Sequence, residues 1–317
     1  MLAISVVVPL YNEETSLPEL VERTARVMRE NHYSFEMIMV DDGSSDRSWR
    51  VIRALAAERP YIRGIRFRRN YGKSAALFCG FEAAQGEVVV TMDADLQDSP
   101  DEIPALYKKI TEENFDLVSG WKKVRHDSRL LKNIPSKIFN AVARFITGIK
   151  LHDMNCGLKA YKNKVVKNVE VYGEMHRYIP VLAKQAGFTR IGEQVVVHRA
   201  RQYGRSKFGL SRFTHGFLDL MSVVIVGKFG KKPMHFFGVV GTLMFVVGGF
   251  IALWLIVSKL LAQSRGELFR SVTDQPLFYL AILAIVMGVQ LFLTGFVAEL
   301  VTRSGSDRNK YQIEEKL

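Results

Sequence analysis

Cysteine is scarce: Cys79 and Cys156 are the two in 317 residues, and they form neither a C-x-x-C pair nor part of a metal cluster. A disulfide framework is thereby excluded, which suits a catalytic part kept in a reducing compartment. His152 and Cys156 stand at i, i+4, but the two further ligands of a zinc site are missing. The start of the chain has no basic leader ending in a cleavage site, because Ile4–Val8 runs straight into a polar motif; no signal peptide is expected. Acidic charge is also short, with 32 Asp and Glu against 44 Lys and Arg, for a net charge of +12. Such a balance favours anionic partners. Because the chain also carries two membrane-length apolar runs, the partners expected are a membrane and phosphate-bearing substrates, not nucleic acid.

Those runs cover about 235–261 and 276–301, and neither has a charge near its centre. Each exceeds the roughly 20 residues needed to cross a bilayer. Lys228, Lys231 and Lys232 precede the first, and Arg303, Arg308 and Lys310 follow the second, while the loop 262–275 balances its charges. The positive-inside rule then places both termini and everything before the spans in the cytoplasm, in a multi-pass protein of the inner membrane. The expected division is a soluble part over 1–209, a juxtamembrane amphipathic region over 210–233, two spans within 234–302 and a cytoplasmic tail over 303–317. Gly238, Gly241, Gly248 and Gly249 in the first span permit close helix packing. They leave a homo-oligomer open without demanding one.

Before residue 210 the pattern is α/β. Short β-branched runs at Ile4–Pro9, Phe35–Val40, Ile62–Phe67, Glu87–Met92, Asp116–Gly120 and Phe188–Val197 read as strands. Helices are expected from Ser16, with Glu19 completing a capping box, from Ser45 or Asp46, over Tyr71–Ala84, and over about 101–113 and 130–147. This rhythm predicts a doubly wound, mainly parallel sheet. In such sheets ligands sit beyond the carboxyl ends of the strands. Three acid-bearing segments follow strand ends: Pro9–Glu13, Asp41–Asp46 and Asp93–Gln97. Alternation points Asp93 and Asp95 the same way, so both can reach one hard cation such as Mg²⁺ or Mn²⁺. Beyond the fifth strand come Lys122, Lys123, Arg125, Arg129, Lys132 and Lys137, a stretch placed to bind an anion. Arg199–Lys207, rich in cations around Gly204 and Ser206, suits a loop closing over a phosphate.

Val7–Glu13, Val40–Asp46 and Asp93–Gln97 together resemble the family 2 glycosyltransferases, and Arg201–Lys207 resembles the R-x-x-G-x-S-K loop of their polyprenyl-phosphate branch. That branch includes dolichol-phosphate mannose synthases, and two C-terminal spans resemble bactoprenol glucosyltransferases and the related aminoarabinose transferase. The resemblance implies a GT-A fold followed by a transmembrane hairpin. It further implies that Pro9, Tyr11, Glu13, Val40 and Asp42 hold the nucleoside, with Ala94 and Gln97 at the diphosphate. Asp93, Asp95 and Gln97 match the metal site, and Arg201 and Lys207 the cations that meet the leaving diphosphate. Lys132 and Ser136, with Lys122 and Arg129 of the same stretch, fall near the acceptor phosphate; Asp153 orients the sugar or acts as a base. The activity implied is inverting transfer of one hexose, UDP-glucose favoured, to polyprenyl phosphate, giving a lipid-linked donor for envelope glycans. The Q-x-x-R-W motif of polymer-forming relatives is absent. Two other readings stay open: a glycolipid synthase with a diacylglycerol acceptor, and a non-catalytic sugar-nucleotide-binding partner of a flippase.

Overall fold

The computed structural model describes residues 2–123, 141, 143, 144, 147–173, 175–197, 233–266, 270–304 and 313–316. It divides into two compact units, Met1–Val224 with Arg308–Leu317, and Ile225–Asp307.

The first unit alternates β1 (Ile4–Leu10), α1 (Leu17–Glu30), β2 (Phe35–Asp41), α2 (Ser48–Glu58), β3 (Ile62–Phe67), α3 (Lys73–Ala83), β4 (Val88–Thr91), α4 (Ile103–Thr111) and β5 (Leu117–Trp121). Then follow β6 (Lys159–Lys162), α5 (Asn163–Asn168), α6 (Ile179–Gln185), β7 (Ile191–Val195) and, from the C-terminus, β8 (Ile313–Lys316). The sheet order is β7-β5-β6-β4-β1-β2-β3-β8. Strands β4, β1, β2 and β3 are mutually parallel, as are β5 and β7. β6 is antiparallel to both β4 and β5, and β8 is antiparallel to β3.

The apolar runs are continuous because both sheet faces are covered. Val7, Ile38 and Val40 face α3 in one core cluster, while Val6, Val8, Met37 and Met39 face the layer holding Leu17, Leu20, Trp49, Ile52 and Leu106 in the other. Gly80 lets α3 lie directly on β1, since a Cβ there would come within 2.3 Å of Val7 Cγ1.

Three local expectations change. Ser16 makes no capping box: its hydroxyl turns back to the carbonyl and carboxylate of Glu13. For α2, Asp46 accepts from the Ser48 amide one residue inside the helix, so the orphan donor is met from just outside the cap. The sixth strand expected over 188–197 is the shorter β7, and β6 went unread because its four residues carry lysine at both ends. Of the helix expected over 130–147, residues 141, 143, 144 and 147 are described, and they are helical; its stripe Ile134, Ile138, Val142 and Phe145 lies outside the described residues. The amphipathic stretch Leu210–Phe229 lies outside them as well.

In the second unit α7 (Pro233–Ser264) and α8 (Pro276–Ser304) pack along each other, each long and apolar enough to cross a membrane. Their backbones meet at glycine: an added Cβ on Gly241 would lie 2.6 Å from the Gly288 carbonyl, and one on Gly248 2.6 Å from that of Ala281. Small residues of this kind admit van der Waals contact between helices in lipid. Outward-facing side chains are large and apolar, with Phe250 70% and Trp254 56% exposed, which a soluble core hairpin would bury.

β8 covers the outer edge of β3, and Glu315 accepts from the Trp49 indole at 2.9 Å. Deleting residues 313–317 exposes that edge. The expected loss is ~2 kcal/mol from the ladder and the indole bond, seen as a fall of roughly 4–8 °C in the Tm of detergent-purified protein. An unchanged Tm would mean that the tail does not dock there.

Candidate active site

The parallel strands β4, β1 and β2 end at one side of the sheet, where β1 is flanked by strands running outward in both directions along the sheet order. The ladder to β4 stops at Val7–Thr91, so Pro9, two residues on, costs no hydrogen bond on that side. A crevice at this switch point is where an open α/β sheet binds its ligand.

Backbone amides and short polar side chains lace the loops after β1 and β2 together. The Asn12 amide donates to Ser44 Oγ at 2.9 Å, the Ser45 amide to Asn12 Oδ1 at 2.9 Å, and the Glu13 amide to Ser48 Oγ at 2.9 Å. Asn12 takes φ 58°, a left-handed conformation that asparagine tolerates. Asp41 accepts from the Ser44 amide, while the two oxygens of Asp42 accept from the Tyr71 and Gly72 amides at 2.7 and 2.9 Å. Burial pushes both carboxyls upward, and these N–H groups pull them back towards the ionised form. Among the residues expected to hold a nucleoside, Pro9 and Val40 have buried side chains, so they offer that edge backbone; Tyr11 and Glu13 are half-buried beside it.

Beyond β4 the chain makes a tight turn. Leu96 adopts φ 58° with its side chain 2% exposed, so burial holds a conformation that costs about 1–3 kcal/mol. That turn leaves Asp95 accepting from the Gln97 amide at 3.2 Å, with Ala94 buried between the two aspartates. Asp93 forms an ion pair with Lys73, the first residue of α3. Burial works against ionisation of Asp93, but Lys73, with Lys122 and Lys159 further away, overrides it and lowers its carboxyl to about 2. On the other side of the carboxylate lies Gly157, where a Cβ would approach Asp93 Oδ2 to 2.5 Å. The Gly157 carbonyl in turn accepts from Thr91 Oγ1 at 2.9 Å.

Behind this turn, Lys122 Nζ lies 2.6 Å from Asp98 Oδ1, with Asp98 1% and Lys122 13% exposed. Burial would lower the Lys122 ammonium, but Asp98 raises it above its ordinary value. Lys122, expected at an acceptor phosphate, is thus engaged in a buried ion pair. Asp153 is 2% exposed and accepts from the Asn155 amide, and its backbone carbonyl accepts from Ser119 Oγ. Lys159, 3% exposed, feels both Asp153 and Asp93, which ties the loop before β6 to the β4 turn. His152 stacks on Trp121 and pairs with Glu193, and burial pushes the Cys156 thiol up to about 12. Arg129, Lys132, Ser136, Arg201 and Lys207 lie outside the described residues.

Lys73 and His176 escaped sequence reading. Lys73 carries no periodic signal, and its role depends on α3 starting at that residue. His176 hydrogen-bonds Ser74: its Nδ1 lies 3.2 Å from Ser74 Oγ, which also accepts from the His176 amide. Burial, then Lys73 and Arg177, hold the imidazole well below its usual value.

Two outcomes follow. Gly157→Ala should push the Asp93 carboxylate off Lys73 and lower turnover at least tenfold with little change in Tm; full turnover would show that the cradle is slack. A half-buried histidine held neutral contributes stability that is complete above its unfolded value near 6.5 and declines as pH falls below it. His176→Gln should therefore flatten the Tm profile between pH 7 and 5, and an equally steep decline in the variant would exclude His176 as its source.

Comparisons with known proteins agree with this architecture. Residues 5–170 match the family model described as glycosyl transferase family 2. The chain is 37% identical over 305 residues to the dodecaprenyl-phosphate galacturonate synthase of Rhizobium johnstonii, covering 96% of this chain and 88% of that protein. It is 35% identical to the undecaprenyl-phosphate 4-deoxy-4-formamido-L-arabinose transferase of Shewanella sediminis, covering 99% of this chain and 92% of that one. Among solved structures, glucosyl-3-phosphoglycerate synthase from Mycobacterium tuberculosis in complex with UDP superposes with a TM-score of 0.55 at 20% identity, covering 71% of this chain and 80% of that one, which shows a shared GT-A fold. The chain is a glycosyltransferase belonging to family 2.

Proposed function

We propose that the protein transfers a single sugar from a nucleotide diphosphate sugar to polyprenyl phosphate at the cytoplasmic membrane face, inverting the anomeric centre. The observation that carries this reading is one sheet edge where two hydrogen-bonded polar loops meet the Asp93–Gln97 turn, in a chain that also holds two membrane-length helices. The relatives that cover nearly the whole chain are named for polyprenyl-phosphate acceptors, which supports the same acceptor here. UDP-glucose is the donor we carry forward; galacturonate and 4-deoxy-4-formamido-L-arabinose, the sugars in those relatives' names, are the alternatives.

Asp93 and Asp95 fit a hard divalent cation, Mg²⁺ or Mn²⁺, because both present carboxylate oxygens and Asp93 stays ionised. Among the described residues there is no cluster of three or more His, Cys, Asp or Glu side chains that could hold a metal. That suits a cation whose shell is completed by substrate oxygens. When bound, it would supply Lewis-acid stabilisation of the departing diphosphate. Tyr11, Glu13 and the loop held by Asp42 would seat the nucleoside, with Gln97 beside the diphosphate. Arg201 and Lys207 would add charge-assisted hydrogen bonds to the same oxygens. Lys132, Ser136 and Arg129 would hold the acceptor phosphate, whose second ionisation near pH 6 leaves it nucleophilic without a strong base. Asp153 would then orient sugar hydroxyls, and positioning with charge neutralisation would dominate the rate.

Two spans return the chain to its starting side, and the pairing of β8 with β3 supports placing both ends of the chain on one side, which in this reading is the cytoplasm. Purified protein should move radiolabel from a nucleotide sugar into polyprenyl phosphate and not into diacylglycerol. Asp95→Asn should lower that rate by at least a hundredfold without changing Tm. Label appearing in diacylglycerol, or a fully active Asp95→Asn variant, would overturn the acceptor or the metal assignment respectively.

A further inference from the structure

We propose that Lys73 is a resident counter-cation for Asp93, which an incoming divalent metal must displace, so that metal loading depends on the arrival of the anionic donor. This rests on the reading of Asp93 as a metal ligand and adds the order in which the site fills. The Asp93 carboxylate is wedged. One oxygen meets the Lys73 ammonium, and the other lies against Gly157, where not even a methyl group would fit. A cation approaching Asp93 therefore meets the Lys73 ammonium already paired with one of the two oxygens.

Lys73 is held in place from behind. It follows Tyr71 and Gly72, whose amides both donate to Asp42, and Gly72 takes φ 92°, which a glycine adopts without strain. Other cations surround the pair: Lys73 and Lys159 repel one another, His176 is hydrogen-bonded to Ser74, the next residue of the helix, and Arg177 follows His176. Among the described residues, the ion-pair partner of Lys73 is Asp93. With a third of its side chain open to the site, Lys73 has one favourable exit, outward to a new anion. A metal alone would leave two cations competing for one carboxylate. A metal arriving with a nucleoside diphosphate brings the phosphate oxygens that give Lys73 a new partner.

The readout is Mn²⁺ binding, followed by the paramagnetic resonance signal of the free ion with full-length protein in detergent. Wild type should bind Mn²⁺ at least tenfold more tightly with UDP present than without it. Lys73→Met should bind Mn²⁺ without UDP at least tenfold more tightly than wild type, and the added effect of UDP should shrink. Lys73→Arg, which keeps the charge, should behave as wild type. Should Lys73→Met fail to fold, Lys73→Gln provides the same neutral test, with the melting curve as the control. Neutral variants whose Mn²⁺ affinity without UDP equals or falls below that of wild type would overturn the proposal. If in that case Asp93→Asn still abolishes Mn²⁺ binding, the metal reading survives; if Asp93→Asn leaves binding intact, both fall.

Discussion

Gathering carboxylates at one end of a sheet is the constraint on which the rest of this molecule depends. Asp41, Asp42, Asp93, Asp95 and Asp98 all follow strand ends on the same side, and four of the five are buried. Uncompensated, such charges would repel one another and resist burial. Each is therefore met by a specific donor: amides for Asp41, Asp42 and Asp95, and ammonium groups for Asp93 and Asp98. Those donors come from segments far apart in the chain. For Asp42, Asp93 and Asp98, folding brings in the β3–α3 loop, the start of α3 and the residue after β5.

The same compensation gives the site its shape. Asp42 fixes the loop that leads into Lys73, Lys73 meets Asp93, and Gly157 leaves just enough room for that carboxylate. The loop after β2 and the turn after β4 are thus joined through protein contacts. Rigidity at such a place serves transfer chemistry, which depends more on where charges are held than on a strong base.

The membrane half follows a different logic. Lipid supplies no hydrophobic drive between helices, so α7 and α8 meet through Gly241, Gly248 and Gly288 and leave their large side chains outward. Those glycines are used within the chain. Gly241 and Gly248 belong to the set that by sequence left an oligomer open, and intrachain packing accounts for these two.

What the sequence determined by itself was the parallel core, the two apolar helices and the acid-bearing strand ends. Each is a local pattern: a β-branched run, a long stretch without charge, or a polar turn directly after a strand. Family membership was likewise readable, because the motifs Val7–Glu13, Val40–Asp46 and Asp93–Gln97 lie in order along one chain. Tertiary structure alone decided β6 and β8, since four-residue strands flanked by charge have no periodicity to detect. It also decided the partners of the acids. Lys122 was read as one cation of a basic stretch placed at an acceptor phosphate, and it lies inside, on Asp98. Lys73 was not read at all, because only the three-dimensional meeting of α3 with the end of β4 gives it a carboxylate. Sequence shows which charges exist; which charge neutralises which depends on distances between segments that are remote in the chain, and the folded structure sets those.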